Sequence, residues 1–374
     1  MPKSNNYRFF DLPKEFSMAD YREAIACIID KYSKSQCLTS IYNWGNPSIP
    51  GISDIDLVFV FKDNSNSSLP FLRRSFYILN QKLRYLVVHP FIFIDESSFQ
   101  NARYIYPDTN FKLLHGKNIK IRNISAHNKY YSDAALLNDI IIRHYPRDFL
   151  EQSASKTINA RDTLLRLNSL KYSLKIIRSL TGEKYTEWSG KLKLIENLRE
   201  NWFKSKDFGL LASLNEDAAK ITMEIIEKFL LFLTENNLAK IVSEDNVKFN
   251  GIKNKSLFIK NWTKENALKT MLNAIKLKQE YYSVLPLELS AQLVEYSKGE
   301  GRISKYIKSK LSNDISYNLK QKDIIKERIK ILNKQAELAF KLRHSDFAAF
   351  FDFGYRNKSG INNWILNILD IIRF

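Results

Sequence analysis

The hydrophobic and polar positions divide the chain into a front part with strand patterns and a longer rear part with helical spacing. Up to about residue 125, short apolar runs alternate with helical segments. From Ser132 onward, apolar residues recur at three- and four-residue intervals. This order predicts an α/β + α fold, a small mixed-sheet core followed by a large all-helical region. Glycine and proline are scarce, at 11 and 9 residues, which favours long regular elements.

The front part predicts a helix, two neighbouring strands and a third strand. The helix covers 19–32 and is capped by Ser17 or Asp20. A strand at 38–44 and another at 54–61 flank a turn-rich segment that contains two prolines and two glycines. The remaining predicted elements are a helix at 69–83, a strand at 86–94, a short helix at 98–106 and a strand or turn at 111–121.

The rear part shows helical periodicity without a repeat of fixed length. The predicted helices are 132–145, 156–181, 188–203, 216–238, 263–282, 286–297, 320–343 and 361–373. The predicted domains are an N-terminal extension at 1–16, a core at 17–125, a helical domain packing on it at 126–240 and a C-terminal helical region at 241–374.

Two acidic residues at the start of the second strand are the main candidates for chemistry. Side chains two positions apart on a strand face the same way, so Asp54 and Asp56 project together while Ile55 and Leu57 turn into the core. Their mutual repulsion is relieved by a cation, and Mg²⁺ binds one or two carboxylates plus substrate phosphate oxygens. Gly45 lets the backbone approach phosphate without a Cβ in the way. The alternative is an ordinary strand start with exposed acids and a turn capped by Ser53 or Asp54.

The segment with Gly45, a loop and Ser53-Asp54-Ile55-Asp56-Leu57 resembles the DNA polymerase β-like nucleotidyltransferase superfamily, especially its small bacterial and antibiotic-modifying members. The superfamily signature is Gly followed by Ser or Gly, a loop, then Asp-x-Asp or Asp-x-Glu between apolar residues. The resemblance covers 17–125 and, more weakly, 130–205. It implies a nucleotidyltransferase-type core, Mg²⁺ or Mn²⁺ bound by the two aspartates, and nucleotide contacts from Gly45, Asn46 and Ser53.

The chain departs from the superfamily pattern in three ways. Asn46 stands where the superfamily has Ser or Gly, and the loop that follows it is shorter than usual. The third carboxylate, which the superfamily places on a later central strand, is absent from the interior of the predicted strand 86–94. His89 or Asp95 would then complete the site as metal ligand or general base. The alternatives are a core histidine at 89 and a helix-capping aspartate at 95.

Further candidates have a plainer structural alternative. The resemblance implies that Lys171 and Tyr172 face the nucleotide, where Lys would neutralise triphosphate charge and Tyr would stack on the base. The alternatives are solvent for Lys171 and core packing for Tyr172. Arg73 and Arg74 would reach phosphate or lie in solvent. The aromatic-rich segment 347–353 indicates core, an oligomer interface that would make the chain a homo-oligomer, or a substrate pocket.

The composition widens the choice of partner. The formal net charge is +18, with the excess mainly after residue 150, and positive potential attracts phosphate-rich partners. Lys, Ile and Asn are all abundant, as is typical of an AT-rich genome. This composition explains much of the positive excess, as lysines of the solvated surface. Cys27 and Cys37 have no zinc-site spacing. We expect a cytoplasmic protein, because the chain has neither a signal-peptide pattern nor a run of about 20 apolar residues.

The sequence thus predicts a metal-dependent nucleotidyltransferase. It would move a nucleoside monophosphate from a nucleoside triphosphate (NTP) to an acceptor, and release pyrophosphate. A small-molecule acceptor is favoured over nucleic acid. The alternatives are a nucleotidyltransferase fold without catalysis that binds nucleotide or acts as a scaffold, and an RNA-modifying nucleotidyltransferase.

Overall fold

The computed structural model describes residues 3–4, 6–45, 47–63, 65, 81–88, 91–138, 140, 145–184, 188–236, 247–250, 256–259, 300, 305 and 322–342. It is mixed α/β, about 60% helical with a small mixed sheet. The chain forms two compact units. The α/β unit comprises Pro13–Ser132 and Glu327–Phe374, and the helical unit comprises Met1–Leu12 and Asp133–Lys326.

A four-stranded sheet forms the centre of the α/β unit. Its strands are β3 (Leu38–Trp44), β4 (Leu57–Phe61), β5 (Ile92–Asp95) and β6 (Phe111–Gly116), in the order β5-β4-β3-β6. Strand β3 is antiparallel to both β4 and β6, whereas β4 and β5 are parallel. All five residues of β4 are buried, as expected for an interior strand with a continuous apolar run.

Helix α1 (Met18–Tyr32) covers one face of this sheet. Ser17 caps it by accepting a hydrogen bond from the Asp20 N–H, and the Asp20 carboxylate accepts one from the Ser17 N–H. This capping box satisfies two backbone donors that have no partner within the helix. Tyr21, Ala24 and Ile28 recur at helical spacing and join the buried core. The predicted helix at 19–32 is therefore confirmed.

The predicted strand at 86–94 is wrong at 86–88, and its residues 89 and 90 lie outside the described residues. Leu86 ends helix α2 (Gln81–Leu86), and the Val87 N–H still donates to the Leu83 carbonyl in a helical turn. The backbone at 86–87 is thus part of a helical turn, and β5 begins only at Ile92. The predicted short helix at 98–106 appears as α3 (Glu96–Phe99) and a 3-10 turn at Ala102–Tyr104.

Two buried polar side chains of helix α9 (Lys322–Lys341), both after Glu327, hold it to the α/β unit. The Arg328 guanidinium is fully buried and donates to the Tyr104 carbonyl at 2.9 Å. Gln335 is also fully buried, and its amide donates to the Phe93 carbonyl at 2.8 Å. In the described sheet β5 is the last strand at one end, so this bond places α9 against an edge strand. The predicted core at 17–125 therefore does not include the part of α9 that belongs to the α/β unit.

The helical unit also contains short strands, none of which was predicted, either in the N-terminal extension or in the all-helical region. Strand β1 (Lys3–Ser4) is antiparallel to β2 (Tyr7–Phe10), and β2 is parallel to β7 (Thr157–Asn159). Strands β8 (Val247–Asn250) and β9 (Ser256–Ile259) form an antiparallel pair. Strands of two to four residues are too short to show a reliable alternation of apolar and polar positions.

After residue 125, the predicted helices 156–181, 188–203, 216–238 and 320–343 match described helices in their central parts and differ at their ends. The predicted helix 132–145 overlaps a helix at Ala126–Leu137 only in its first residues, and the helix at Tyr145–Ser155 was not predicted. The predicted 156–181 begins later, because Asn159 caps the helix by accepting from the Asp162 N–H, and it ends at Gly182 in the left-handed conformation. None of the described helices is long and apolar enough to cross a membrane. The predicted helices 263–282, 286–297 and 361–373 lie outside the described residues. The helices from α4 on are α4 (Ala126–Leu137), α5 (Tyr145–Ser155), α6 (Ala160–Thr181), α7 (Ser189–Ser205), α8 (Phe208–Glu235) and α9.

Replacing Lys206 with glycine is expected to stabilise the helical unit by about 0.5–1 kcal/mol. Lys206 ends α7 with φ 45° and ψ 49°, a conformation that is strained for a residue with a Cβ. The midpoint of thermal unfolding should rise. Lys204→Gly is the matched control, because it removes the same charge inside the last helical turn and should lower the midpoint. A fall in both variants would contradict the prediction.

Candidate functional site

The two acidic residues lie in an extended segment that leads into β4. The Trp44 N–H donates to the Asp56 carbonyl at 2.9 Å, which continues the pairing of β3 and β4 by one position. Along this segment, Ile55 and Leu57 are buried, whereas Asp54 and Asp56 are partly exposed. Because neighbouring positions of an extended chain face opposite sides, the two aspartates share the side that is turned away from the α1 core.

Gly45 lies directly beside one of these carboxylates. Its φ is +87°, and a Cβ built on it would lie 4.0 Å from Asp56 Oδ2. This backbone conformation is strained for other residues. The Asn43 side-chain amide donates to the Gly45 carbonyl at 2.8 Å and so helps to hold the turn. The structure therefore brings together Gly45 and Asp56, as the sequence predicts, whereas Asn46 lies outside the described residues.

Two buried tyrosines hold the loop that leads to the acidic pair. The Tyr21 hydroxyl accepts from the Gly51 N–H at 3.0 Å and donates to the Ser53 carbonyl. The Tyr85 hydroxyl donates to the Gly51 carbonyl at 2.8 Å and accepts from the Lys14 N–H at 2.7 Å. The sequence pattern does not indicate this role, because Tyr21 falls on the apolar face of the predicted helix 19–32 and Tyr85 falls between two predicted elements.

Ser53 stabilises the loop from within. It is buried, its hydroxyl accepts from the Ile49 N–H at 3.2 Å, and its own N–H donates to the Ile49 carbonyl at 2.9 Å. This is the turn-capping role that the sequence left open as an alternative. The structure thus places Ser53 in the support of the site and not on the side of the two carboxylates.

Asp95 is not brought to the acidic pair. In the parallel pair of β4 and β5 it lies opposite Phe61, five positions beyond Asp56, which corresponds to roughly 16 Å along the strand. It caps α3 by accepting from the Ser98 N–H at 2.7 Å. Burial raises the pKa of Asp95, but hydrogen bonds from Ser97 and Ser98 and the nearby Lys334 charge outweigh this and hold the pKa below its ordinary value.

Lys171 and Tyr172 lie in α6 of the helical unit, and the acidic pair lies in the α/β unit. The Tyr172 side chain is exposed, so it does not pack in the core. The Lys171 ammonium lies 5.5 Å from the centre of the Tyr172 ring and 3.8 Å from Glu196 Oε1. The other predicted candidates, His89, Arg73, Arg74 and the segment 347–353, lie outside the described residues.

Comparisons with known proteins add no family to this picture. No protein-family model, curated protein or solved structure matches the chain. The resemblance to nucleotidyltransferases therefore remains a prediction, and its support comes from the arrangement of Gly45, Asp54 and Asp56.

The donor set of the site suits one hard divalent cation that is shared with a ligand. Within the described residues, no group of three or more His, Cys, Asp or Glu side chains is arranged to hold a metal ion. Two carboxylates are enough for Mg²⁺ when phosphate oxygens and water complete its coordination. Asp54 and Asp56 therefore fit a cation that arrives with a phosphate-bearing ligand better than a permanently bound structural ion.

Proposed function

We propose that the chain is a metal-dependent nucleotidyltransferase whose cation–triphosphate site is formed by Gly45, Asp54 and Asp56. The supporting observation is the Asp56 carboxylate beside the Gly45 turn, with Asp54 on the same side of the extended segment. A glycine turn that admits phosphate next to two carboxylates that bind a cation suits a nucleoside triphosphate.

The reaction joins an acceptor oxygen to the α-phosphorus and breaks the bond between that phosphorus and the oxygen that bridges to the β-phosphate. Pyrophosphate leaves, and the acceptor hydroxyl loses its proton to a base. When bound, Mg²⁺ or Mn²⁺ would supply positive charge that offsets the negative charge of the triphosphate. Asp54 and Asp56 would hold that cation, while Gly45 leaves room for the phosphates. We favour a small-molecule acceptor, because the basic excess has a compositional explanation.

One observation favours a second candidate, a nucleotide-binding module without turnover. The resemblance implies a third carboxylate beside the acidic pair, and Asp95 lies at the other end of the sheet. A site with two carboxylates can bind a cation–triphosphate complex and still lack the ligand or base that catalysis needs. The two candidates share the binding step and differ in whether pyrophosphate is released.

Asp54→Asn and Asp56→Asn are each expected to abolish cation-dependent use of NTP. Asparagine keeps the size of the side chain and removes the charge, so the loss of several kcal/mol of electrostatic stabilisation should slow pyrophosphate release more than about a hundredfold. The measurement is pyrophosphate release from each NTP with Mg²⁺ or Mn²⁺, with small-molecule and RNA acceptors tested separately. Asp30→Asn is the matched control, because Asp30 is exposed on α1, where it forms an ion pair with Lys34.

The outcomes separate the candidates. Pyrophosphate release that both site variants lose, and that Asp30→Asn keeps, supports the enzyme. NTP binding that depends on both aspartates, without release in any acceptor mixture, supports the binding module. Binding and turnover that survive in Asp54→Asn and Asp56→Asn would contradict both.

A further inference from the structure

The direction of the Asp54 carboxylate depends on how its backbone is held. Residues 47–53 lie in a loop that leads to the extended segment, and Asp54 itself belongs to no regular strand. A side chain that binds a cation must be held in a fixed direction to contribute fully. The groups that fix the loop therefore affect the affinity of the proposed site.

Both peptide groups next to Asp54 are held by hydrogen bonds. The preceding peptide is fixed through the Ser53 carbonyl, which accepts from the Tyr21 hydroxyl. The following peptide is fixed through the Ile55 N–H, which donates to the Leu86 carbonyl at 2.9 Å. Because peptide groups are planar, fixing the planes on both sides of a Cα sets its φ and ψ, and with them the direction of the Cβ.

Tyr21 can serve as a rigid support because it is itself fixed. Its side chain is 1% exposed in the core cluster, and it lies in the first turn of α1 next to the capping box. The same hydroxyl also accepts from the Gly51 N–H. A single buried oxygen thus joins α1 to two points of the loop, the second of them in the peptide that precedes Asp54.

We propose that Tyr21 is a positioning residue that fixes the direction of the Asp54 carboxylate in the cation–triphosphate site. This inference rests on the proposed function of that site. Tyr21 does not contact the ligand and acts through the Ser53–Asp54 peptide. The Tyr85 hydroxyl binds the loop at the Gly51 carbonyl, three residues before Asp54, and so has a smaller influence on Asp54.

Tyr21→Phe tests this role, since it keeps the ring in the core and removes only the hydroxyl. Mn²⁺ affinity in the presence of NTP, measured by electron paramagnetic resonance, is expected to fall about tenfold, as for other groups that support metal ligands. Pyrophosphate release should recover at high Mg²⁺, a rescue that a purely structural loss would not show. Tyr32→Phe is the matched control, because it removes a buried tyrosine hydroxyl from the other end of α1 and should leave affinity unchanged.

The Asp56→Asn variant distinguishes the two possible failures. If the wild type and Asp56→Asn bind Mn²⁺ equally, the proposed function fails and this inference fails with it. If Asp56→Asn loses binding while Tyr21→Phe binds as tightly as the wild type, only the role of Tyr21 is overturned.

Hydrogen exchange in the wild type provides a measurement that needs no variant to fold. The Gly51 N–H belongs to no helix or strand, yet it donates to a buried hydroxyl. We expect it to exchange about as slowly as the central amides of α1. Exchange as fast as in an unprotected loop would overturn the proposal.

Discussion

Replacing Arg328 with alanine is expected to lower the free energy of unfolding of the α/β unit by about 3–5 kcal/mol. Arg328 is among the largest fully buried side chains of the described residues, so truncation leaves a cavity. It also leaves the Tyr104 carbonyl without the guanidinium donor that lies 2.9 Å away. The urea concentration at half unfolding, followed by circular dichroism, measures the effect.

Two further variants divide this loss into its causes. Arg328→Met keeps much of the buried volume and removes the hydrogen bonds, so we expect about 1–3 kcal/mol. Lys330→Ala removes an exposed cation two residues along the same helix and should change stability by less than about 0.5 kcal/mol. Equal midpoints for Arg328→Ala and Lys330→Ala would show that the buried guanidinium does not stabilise the unit.

Replacing Gly116 with alanine is expected to lower the free energy of unfolding of the α/β unit by about 2–5 kcal/mol. A Cβ at this position would lie 2.1 Å from the Thr39 carbonyl oxygen and 3.0 Å from the Ser40 Cα, and the φ of +84° is strained for alanine. The Lys117 N–H donates to that same Thr39 carbonyl, and Ser40 pairs with Gly116 between β3 and β6. The obstructing atoms are backbone atoms of the central sheet, so they can move away only by disturbing the strand pairing.

Gly45→Ala separates the steric contact from the backbone strain. Gly45 lies in the same unit with a φ of +87°, but within the described part of the chain the nearest contact of its added Cβ is Asp56 Oδ2 at 4.0 Å. The free energy of unfolding of this variant should fall only by the cost of the backbone strain, about 1–2 kcal/mol. The comparison uses urea midpoints of both variants, and equal losses would show that β3 yields to the added methyl group.

Elements with long periodic patterns were predicted well from the sequence. Helix α1 and strand β3 agree with their predicted bounds to within one residue, and α9 agrees to within two. The apolar run at 86–94 was misread, because a short apolar run fits the end of a buried helix as well as a strand. Nothing local in the sequence indicates that α9 binds a sheet whose strands precede it by more than 200 residues.

The site shows the same division between local and distant information. Gly45, Asp54 and Asp56 lie within one hairpin, so their spacing alone predicts that they lie together. The position of Asp95 depends on the register between β4 and β5, which no local pattern gives. Tyr21 and Tyr85 remained unrecognised because their partners are backbone groups 30 or more residues away, and residue type does not indicate such bonds.

The bond between Gln335 and the Phe93 carbonyl has a consequence for the chain while the ribosome is still making it. The two residues are 242 positions apart, so at about 5–20 residues per second the ribosome makes Gln335 roughly 12–48 s after Phe93. During this time the outer edge of β5 lacks the helix that later covers it, and a bare strand edge readily pairs with other chains. Products of premature termination before residue 322 keep that edge permanently, and we expect them to aggregate where the full-length chain does not.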